Sequence, residues 1–327
     1  MPRPSRLADV LSALTALGGI ADTTELVSAS SSWALRSAVD GGLVVRAGRG
    51  VYTFAGSADP GLGCEARTRS WARWKDGPSQ QERDVLTARS AIARGHGGSL
   101  SHLCAAAHHG WPILREPSRI DVAVPNSRNV RAVGAAVRVT RRTLTSSERS
   151  DHVTSPTRTV LDCAQALPFA EALAVADSAL RSGAVGDSEL IAAAEKFRGR
   201  GAGRVRDVAA SADGRAANPF ESALRAVHSG VPGLSLVPQF EVKGDGLNAR
   251  VDLADPERRI VIEADSYAFH GDPELFEHTQ RRQVELSGRD WIALPYGFRA
   301  VTRETEWVRR ATEAVVRVRA SRGYGRR

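Results

Sequence analysis

The sequence is poor in lysine, which occurs only at Lys75, Lys196 and Lys243 among 45 basic residues. Arginine therefore carries nearly all of the positive charge. Cysteine also occurs three times, at Cys64, Cys104 and Cys163. An odd number of widely separated cysteines fits neither a disulfide framework nor a zinc knuckle.

Long apolar runs are absent as well. No stretch of about 18 apolar residues occurs, which excludes a membrane-spanning helix. The first residues carry charges without the continuous apolar run that a secretory signal requires. We therefore expect a cytoplasmic protein with no membrane partner.

The chain has 327 residues, of which 42% are hydrophobic and 25% charged. These values are typical of a folded globular protein, and the length predicts two or three domains at about 150 residues each. The net charge is +8, and ten arginines against four acidic residues place +6 of it between residues 289 and 327. Such a basic segment suits a phosphate backbone, but it suits a solvated final helix equally well.

Residues 1–57 predict three helices followed by a β-hairpin. Helical spacing of leucines is followed by the capping box Asp22-Thr-Thr-Glu25, by a helix opening near Trp33, and by two short β-runs around Gly48-Arg49-Gly50. This order is that of a winged helix-turn-helix, whose third helix enters the DNA major groove. A purely structural or protein-binding winged helix is the alternative. The candidate DNA contacts are Ser32, Trp33 and Arg36 on the helix, and Arg46 and Arg49 on the wing.

The next segments are a linker at residues 58–82 and a middle α+β domain at residues 83–210. Strands are predicted at residues 120–124 and 136–140, helices from Val160 and over 168–183 and 187–197, and a turn or linker at 198–204. We interpret the histidines of this region as structural. Ser101 and His102 are not expected to form a catalytic dyad, because neighbours in sequence do not face each other.

Two sets of motifs resemble a known family. The pattern Leu35-Arg36…Gly42-Leu-Val-Val-Arg46…Arg49-Gly-Val-Tyr52 resembles the N-terminal winged helix of the abortive-infection (type IV toxin–antitoxin) antitoxins, AbiEi. The pieces Leu100-Ser-His102 and Thr154-Ser-Pro-Thr-Arg-Thr-Val-Leu-Asp162 resemble the domain that follows it. This resemblance implies sequence-specific DNA binding and autoregulation rather than catalysis.

Residues 211–327 predict the element order α-β-β-β-α-β-α with acidic residues at defined places. Glu221 lies at a helix start, Asp252 on the second strand, and Glu263 and Asp265 on the third. Residues two apart on a strand point to one face. Phosphodiester hydrolysis needs a hard divalent cation, and Mg²⁺ prefers carboxylate and water oxygens. Asp252 and Glu263 lie inside apolar runs, where an unpaired charge is costly, so we expect a metal or another cation as their partner.

This order and these acids resemble the restriction-endonuclease-like PD-(D/E)XK core, and in particular a Vsr-like (very-short-patch-repair-like) endonuclease domain. The resemblance implies an α/β/α domain with a mixed sheet, in which Asp252 and Glu263 hold Mg²⁺ or Mn²⁺ and Asp265 assists. Glu221, at its helix start, is expected either to reach the same metal cluster or to bind a second ion. The resemblance also implies that His270 acts as general acid/base or contacts the leaving group, and that Arg281 or Arg282 contacts phosphate. Asp265 stands where many of these nucleases have lysine, and Ser266 where related domains have glycine.

The sequence thus predicts a multidomain α+β protein. We expect its winged helix to bind nucleic acid, with DNA as the favoured partner, and its last domain to hydrolyse phosphodiester bonds. A double-strand cut would require two sites, hence a homodimer or sequential nicking. The first alternative is a non-catalytic antitoxin or repressor with a retired nuclease fold. The second is an interaction protein that neutralises a cognate toxin, which a neighbouring nucleotidyltransferase toxin gene would favour.

Overall fold

A computed structural model of the chain describes residues 5–17, 19–48, 50–54, 80–128, 137–244, 246–265 and 273–325. It contains two compact units, one formed by Met1–Trp111 with Arg115–Asp162 and the other by Pro112–Leu114 with Cys163–Arg327. The described elements are 13 helices and three sheets, two of them mixed. The prediction of a multidomain α+β protein is therefore confirmed. Among the helices of these ranges, none combines the length and the apolarity that a membrane span requires.

The first unit opens with helices α1 (Ser5–Ala16), α2 (Thr23–Ala29) and α3 (Ser32–Asp40) and strands β1 (Ile20–Asp22), β2 (Val44–Gly48) and β3 (Val51–Phe54). The predicted capping box is confirmed, because the Asp22 carboxylate accepts the Glu25 amide at 2.8 Å and Glu25 accepts the Asp22 amide at 2.6 Å. Strand β1 was not predicted. It pairs with β3 and extends the hairpin to a three-stranded antiparallel sheet of order β1-β3-β2.

The rest of the first unit is built on a five-stranded mixed sheet of order β6-β5-β4-β8-β7. Its strands are β4 (Ser99–Leu100), β5 (Ile120–Val124), β6 (Val137–Arg141), β7 (Arg149–Ser150) and β8 (Val153–Thr154). The helices are α4 (Gln80–Gly95), α5 (His102–His108) and α6 (Pro156–Ala166). Helix α6 begins in the first unit, and its last residues belong to the second. Helix α4 contacts both this five-stranded sheet and the three-stranded sheet of the N-terminal elements. Arg94 near its end lies 3.1 Å from Glu25, which ties α4 to the start of α2.

The second unit begins with helices α7 (Phe169–Arg181), α8 (Asp187–Lys196), α9 (Ala202–Ser211) and α10 (Pro219–His228). The turn or linker predicted over residues 198–204 is shorter in the structure, because its last three residues already belong to α9. Gly201 adopts a φ of +85°, which glycine tolerates, and α9 starts at the next residue. Asp177 on α7 is fully buried and accepts both Nη2 contacts of Arg225 on α10, at 2.8 and 2.7 Å.

The remaining elements of this unit are strands β9 (Val237–Gly244), β10 (Leu247–Asp255), β11 (Ile260–Asp265) and β12 (Ile292–Gly297) and helices α11 (Pro273–Ser287), α12 (Phe298–Arg303) and α13 (Thr305–Ser321). The sheet order is β12-β11-β10-β9, antiparallel except for the parallel pair β11–β12. The predicted order α-β-β-β-α-β-α is observed, with the final helix divided at Glu304 into α12 and α13.

A buried polar chain joins three of these elements. His228 Nδ1 lies 2.7 Å from the Leu224 carbonyl, so it carries the proton and donates. His228 Nε2 then accepts from the Thr312 hydroxyl at 3.0 Å, and Tyr296 reaches the same hydroxyl at 2.8 Å. The ring of His228 is therefore held neutral. Burial lowers its pKa from 6.5 to about 4.

We expect this histidine to make folding depend on pH. Its folded pKa lies below its unfolded value, so protonation favours the unfolded chain, and stability falls as pH drops from about 6.5 to about 4. The loss attributable to His228 is about 3 kcal/mol. Urea unfolding of the wild type and of His228→Gln at pH 7 and pH 4.5 measures it.

The matched control is His152→Gln, which should keep the wild-type difference between the two pH values. An equal difference in all three proteins would contradict the assignment of this pH dependence to His228.

Candidate functional site

Strand register places three polar side chains in one row across the sheet of the second unit. Leu253 pairs with Pro238 on β9 and with Ile262 on β11, and Val251 pairs with Phe240. By the same register Asp252 lies between Gln239 and Glu263. Directly opposite residues of antiparallel strands point to the same face, so these three side chains meet there. Asp265 lies two residues beyond Glu263 and points to that face as well.

Glu221 approaches the row from the first turn of α10. Asn218 caps this helix through its side-chain oxygen, and Pro219 occupies the first turn, so the helix starts in one orientation. Both carboxylate oxygens of Glu221 are engaged: the Ala217 amide and the Gln239 amide group donate to one, and the Asn218 amide group donates to the other, at 2.7–2.8 Å. Burial, together with repulsion from Asp252, nevertheless raises the Glu221 pKa to about 7.

Glu263 has an arginine as its partner. Arg282 on α11 places Nη2 2.8 Å from Glu263 Oε1. Burial raises the pKa of Glu263, Arg282 opposes this rise, and the neighbouring Asp252 and Asp265 add to it. Arg281, the other member of the predicted pair, points to solvent, where it lies 3.6 Å from Glu277. The structure therefore brings Arg282, and not Arg281, to the acidic residues.

Asp252 is held by the backbone rather than by a cation. Its Oδ2 accepts the Ala264 amide at 2.9 Å, which locks β10 to the end of β11. Burial raises the Asp252 pKa, while this hydrogen bond, Arg282 and Gln239 act in the opposite direction. Gln239 was not identified from the sequence. Its position opposite Asp252 is the signal that could have found it, once the register was known.

Two of the acids on this face have the donor chemistry that a divalent cation requires. Across the described ranges, no three histidine, cysteine, aspartate or glutamate side chains lie close enough together to surround a metal ion. Glu221 is committed to three donors, which leaves Asp252 and Glu263 as the facing pair. Two carboxylates completed by water suit Mg²⁺, so the residues present fit the ion through these two. His270, the predicted acid/base, lies outside the described residues.

The face predicted to contact DNA is exposed on α3. Ala34, Leu35 and Ala38 are buried, which turns Ser32, Trp33 and Arg36 to solvent on the other side. Trp33 retains 46% exposure, unusual for so large an apolar side chain. Arg46 on β2 is also exposed, and Arg49 lies outside the described residues.

A buried ion-pair network in the first unit was missed by sequence reasoning. Asp162 is 1% exposed and accepts Arg158 Nε at 2.9 Å and Arg142. Arg158 also reaches Glu148, at 3.4 Å. The motif Thr154-Ser-Pro-Thr-Arg158-Thr-Val-Leu-Asp162 contained the signal, because an arginine and an aspartate four residues apart share one helix face. The motif thus supplies the buried anchor of this part of the fold.

The interpretation of Ser101 and His102 needs correction. His102 adopts a φ of +51°, which turns its ring back, and Nδ1 lies 2.9 Å from the Ser101 hydroxyl. The neighbours therefore do face each other. Ser101 has no exposed surface and His102 only 6%, which denies a substrate access. Burial lowers the pKa of His102, with Asp162 and Asp121 opposing. The structural role expected of the histidines agrees with this geometry.

Comparison with known families bears on the segment that contains this network. Residues 99–209 match the AbiEi antitoxin C-terminal domain. The match covers β4 through most of α9 and includes both quoted middle motifs, Leu100-Ser-His102 and Thr154–Asp162. The resemblance stated for this region is therefore confirmed. The Vsr-like resemblance of residues 211–327 stays a prediction.

Two relatives come from Mycobacterium tuberculosis, the uncharacterized proteins MT2308 (strain CDC 1551 / Oshkosh) and Rv2248 (strain H37Rv). Each is 34% identical to this chain over 155 residues, which is 46% of this chain and 56% of the relative. The chain thus spans little more than half the length of these relatives. A crystal structure of the RV2827C protein from the same species is 15% identical, with a TM-score of 0.37 over 68% of this chain and 81% of that chain.

We expect the Asp162 network to anchor the AbiEi-matched segment. Asp162→Ala leaves the buried guanidinium of Arg158 without its principal partner, which costs about 3–5 kcal/mol of unfolding free energy. Asp162→Asn keeps the shape and should cost less. Chemical denaturation of each variant measures the loss.

Asp9→Ala on the exposed face of α1 is the control, with an expected change within about 0.5 kcal/mol. If Asp162→Ala unfolds at the same denaturant concentration as this control, the network does not anchor the fold.

Proposed function

We propose that this chain is an antitoxin of a toxin–antitoxin pair that neutralises a cognate toxin through residues 99–209 and binds DNA through its N-terminal elements. The match of residues 99–209 to the AbiEi antitoxin C-terminal domain carries this proposal. The match covers a third of the chain, so the DNA contact rests on separate observations.

The N-terminal elements support the DNA contact. Three helices precede a hairpin, as in a winged helix-turn-helix, where the third helix lies in the major groove. Here that helix is α3, whose outer face presents Ser32, Trp33 and Arg36. Arg46 on β2 lies on the hairpin that would act as the wing. A hydroxyl, an indole and two arginines can together contact base edges and phosphates.

The two activities can be separated in one experiment. Growth of cells that express a candidate cognate toxin, taken from a gene next to this one, should be restored by the wild type and by Arg36→Ala/Arg46→Ala. The same double variant should lose at least about tenfold in affinity for DNA from upstream of its own gene, measured by fluorescence anisotropy, because each lost contact is worth about 1–3 kcal/mol.

Arg299→Ala removes an exposed arginine from α12, outside both proposed binding segments, and is the control for charge. It should leave both readouts at wild-type values. Failure of the wild type to restore growth would reject the antitoxin proposal, and equal DNA binding by the double variant and the control would reject α3 and the hairpin as the DNA-binding surface.

A second candidate function is metal-dependent hydrolysis of phosphodiester bonds by the second unit. One observation favours it: Asp252 and Glu263 face each other from adjacent strands, Glu263 buried and Asp252 half-buried, and the pKa of each is raised. Perturbed carboxylates at one place are a sign of a functional site. Asp252 and Glu263 would hold Mg²⁺, which neutralises charge on phosphate oxygens and lowers the pKa of bound water. Arg282 already neutralises Glu263, so a metal would have to compete with it.

Plasmid nicking tests this candidate. With Mg²⁺ or Mn²⁺ the wild type should convert supercoiled to open-circular DNA, and Asp252→Asn/Glu263→Gln should lower the rate at least a hundredfold by removing both ligands. The control is Arg281→Gln, which changes an exposed arginine next to Arg282 on α11. This variant should cut DNA at the wild-type rate. Absence of cleavage of duplex, single-stranded and RNA substrates by the wild type would leave the antitoxin as the single function proposed.

A further inference from the structure

Helix α13 contains part of the arginine-rich end of the chain, which the proposed antitoxin function does not use. Its inner side is fixed by the buried residues Val308, Thr312, Val316 and Arg319. Arg319 is 1% exposed and pairs with Asp290 at 2.9 Å, so it is neutralised inside. The opposite side of the helix therefore faces solvent in a defined orientation.

The solvent side of α13 carries one tryptophan and two arginines. Trp307, Arg310 and Arg317 are exposed and lie within a single arc of the helix, because residues three, four and seven apart share one face. Arg310 and Arg317 are two turns apart, about 10.5 Å along the axis. Arg303 at the end of α12 and Arg322 just after α13 are exposed as well. We define these five residues as the outer face of α13.

The arginines of this outer face are not held in ion pairs. In the part of the chain that the structure describes, no carboxylate lies within ion-pair distance of Arg303, Arg310 or Arg317. Glu306 and Glu313 lie four residues before Arg310 and Arg317 on the same side of the helix, so they offset part of the positive charge without forming an ion pair. Arg299, by contrast, is paired with Glu304 at 3.3 Å. The three arginines therefore keep their charge available for an anionic partner.

Trp307 makes this face more than a basic patch. It is 52% exposed, yet its ring packs edge-on against the buried Tyr296 with 5.9 Å between ring centroids. The indole is thus held in place while much of its surface stays open to solvent. A fixed, open aromatic face among arginines suits a base that stacks while its phosphates meet the guanidinium groups.

We propose that the outer face of α13 binds single-stranded nucleic acid, with Trp307 stacking on a base and Arg303, Arg310 and Arg317 contacting phosphates. A duplex keeps its bases paired and offers the indole no free base face. This surface is separate in sequence from α3, so the proposal goes beyond the antitoxin function and does not depend on it. Stacking is indifferent to the sugar, so both DNA and RNA strands qualify.

Fluorescence anisotropy of the full chain with labelled dT20 and rU20 tests the proposal. Trp307→Ala should weaken binding about tenfold, the loss expected for one stacked base. Trp307→Phe keeps an aromatic ring and should recover most of the affinity. Arg303→Ala/Arg310→Ala/Arg317→Ala should lower the slope of log affinity against log salt by about 2, since each phosphate contact contributes about 0.7 in single strands.

The matched control is Lys196→Ala/Arg200→Ala/Arg206→Ala, which removes the same charge from exposed positions on and beside α8 and α9. It should leave the salt slope within about 0.5 of wild type. Equal weakening in both triple variants would overturn the proposal, because the binding would then follow total charge. Unchanged binding by Trp307→Ala would overturn it too.

Two further readouts separate this surface from other partners. Arg36→Ala/Arg46→Ala should bind dT20 as the wild type does, whatever happens to duplex binding, so failure of one proposal leaves the other intact. Phosphatidylserine vesicles should bind less tightly than dT20 at equal anionic charge. A vesicle affinity that exceeds that of the oligonucleotides and is lost in the α13 triple variant would reject nucleic acid as the partner.

Discussion

Pairing of buried carboxylates with arginine is the interaction on which most of this structure depends. Asp162 in the first unit and Asp177, Asp255 and Glu263 in the second are buried, and each accepts an arginine. Removing an ion from water costs several kcal/mol unless the partner satisfies its oxygens. The guanidinium group does so because it is planar, always charged and offers several donors at once. Because only three of the 45 basic residues of this chain are lysines, nearly every basic side chain can form such a pair.

The same interaction shapes the candidate site on the mixed sheet. The charge of Asp252, Glu263 and Glu221 is balanced by Arg282, by backbone amides and by the raised pKa of Glu221. Of the two acids expected to have a metal or another cation as partner, Glu263 lies 2.8 Å from Arg282, whereas Asp252 accepts the Ala264 amide. The antitoxin and nuclease proposals differ in the partner of Glu263. The antitoxin proposal leaves Arg282 paired with Glu263, whereas the nuclease proposal requires a metal to take the place of Arg282.

Internal pairing also determines which arginines remain for partners. Arg158, Arg225, Arg258 and Arg319 are committed to buried or structural carboxylates and contribute little to the outer field. The arginines that reach solvent include Arg36 and Arg46 in the N-terminal elements and Arg310 and Arg317 on α13. Net charge alone could not show this division, because a paired and an exposed arginine count equally in the sum.

The sequence by itself determined the features that depend on neighbours along the chain. The Asp22–Glu25 capping box, the Asn218 cap of α10, the strand Ile120–Val124 and the α-β-β-β-α-β-α order are local patterns, and each is observed. Two-residue strands such as β4, β7 and β8 have no periodicity to read, so only their pairing partners define them. The placement of Gln239 beside Asp252, and the choice of Arg282 over Arg281 for Glu263, were decided by tertiary structure alone. Strand register and helix rotation arise from packing between distant segments, and a sequence pattern does not contain them.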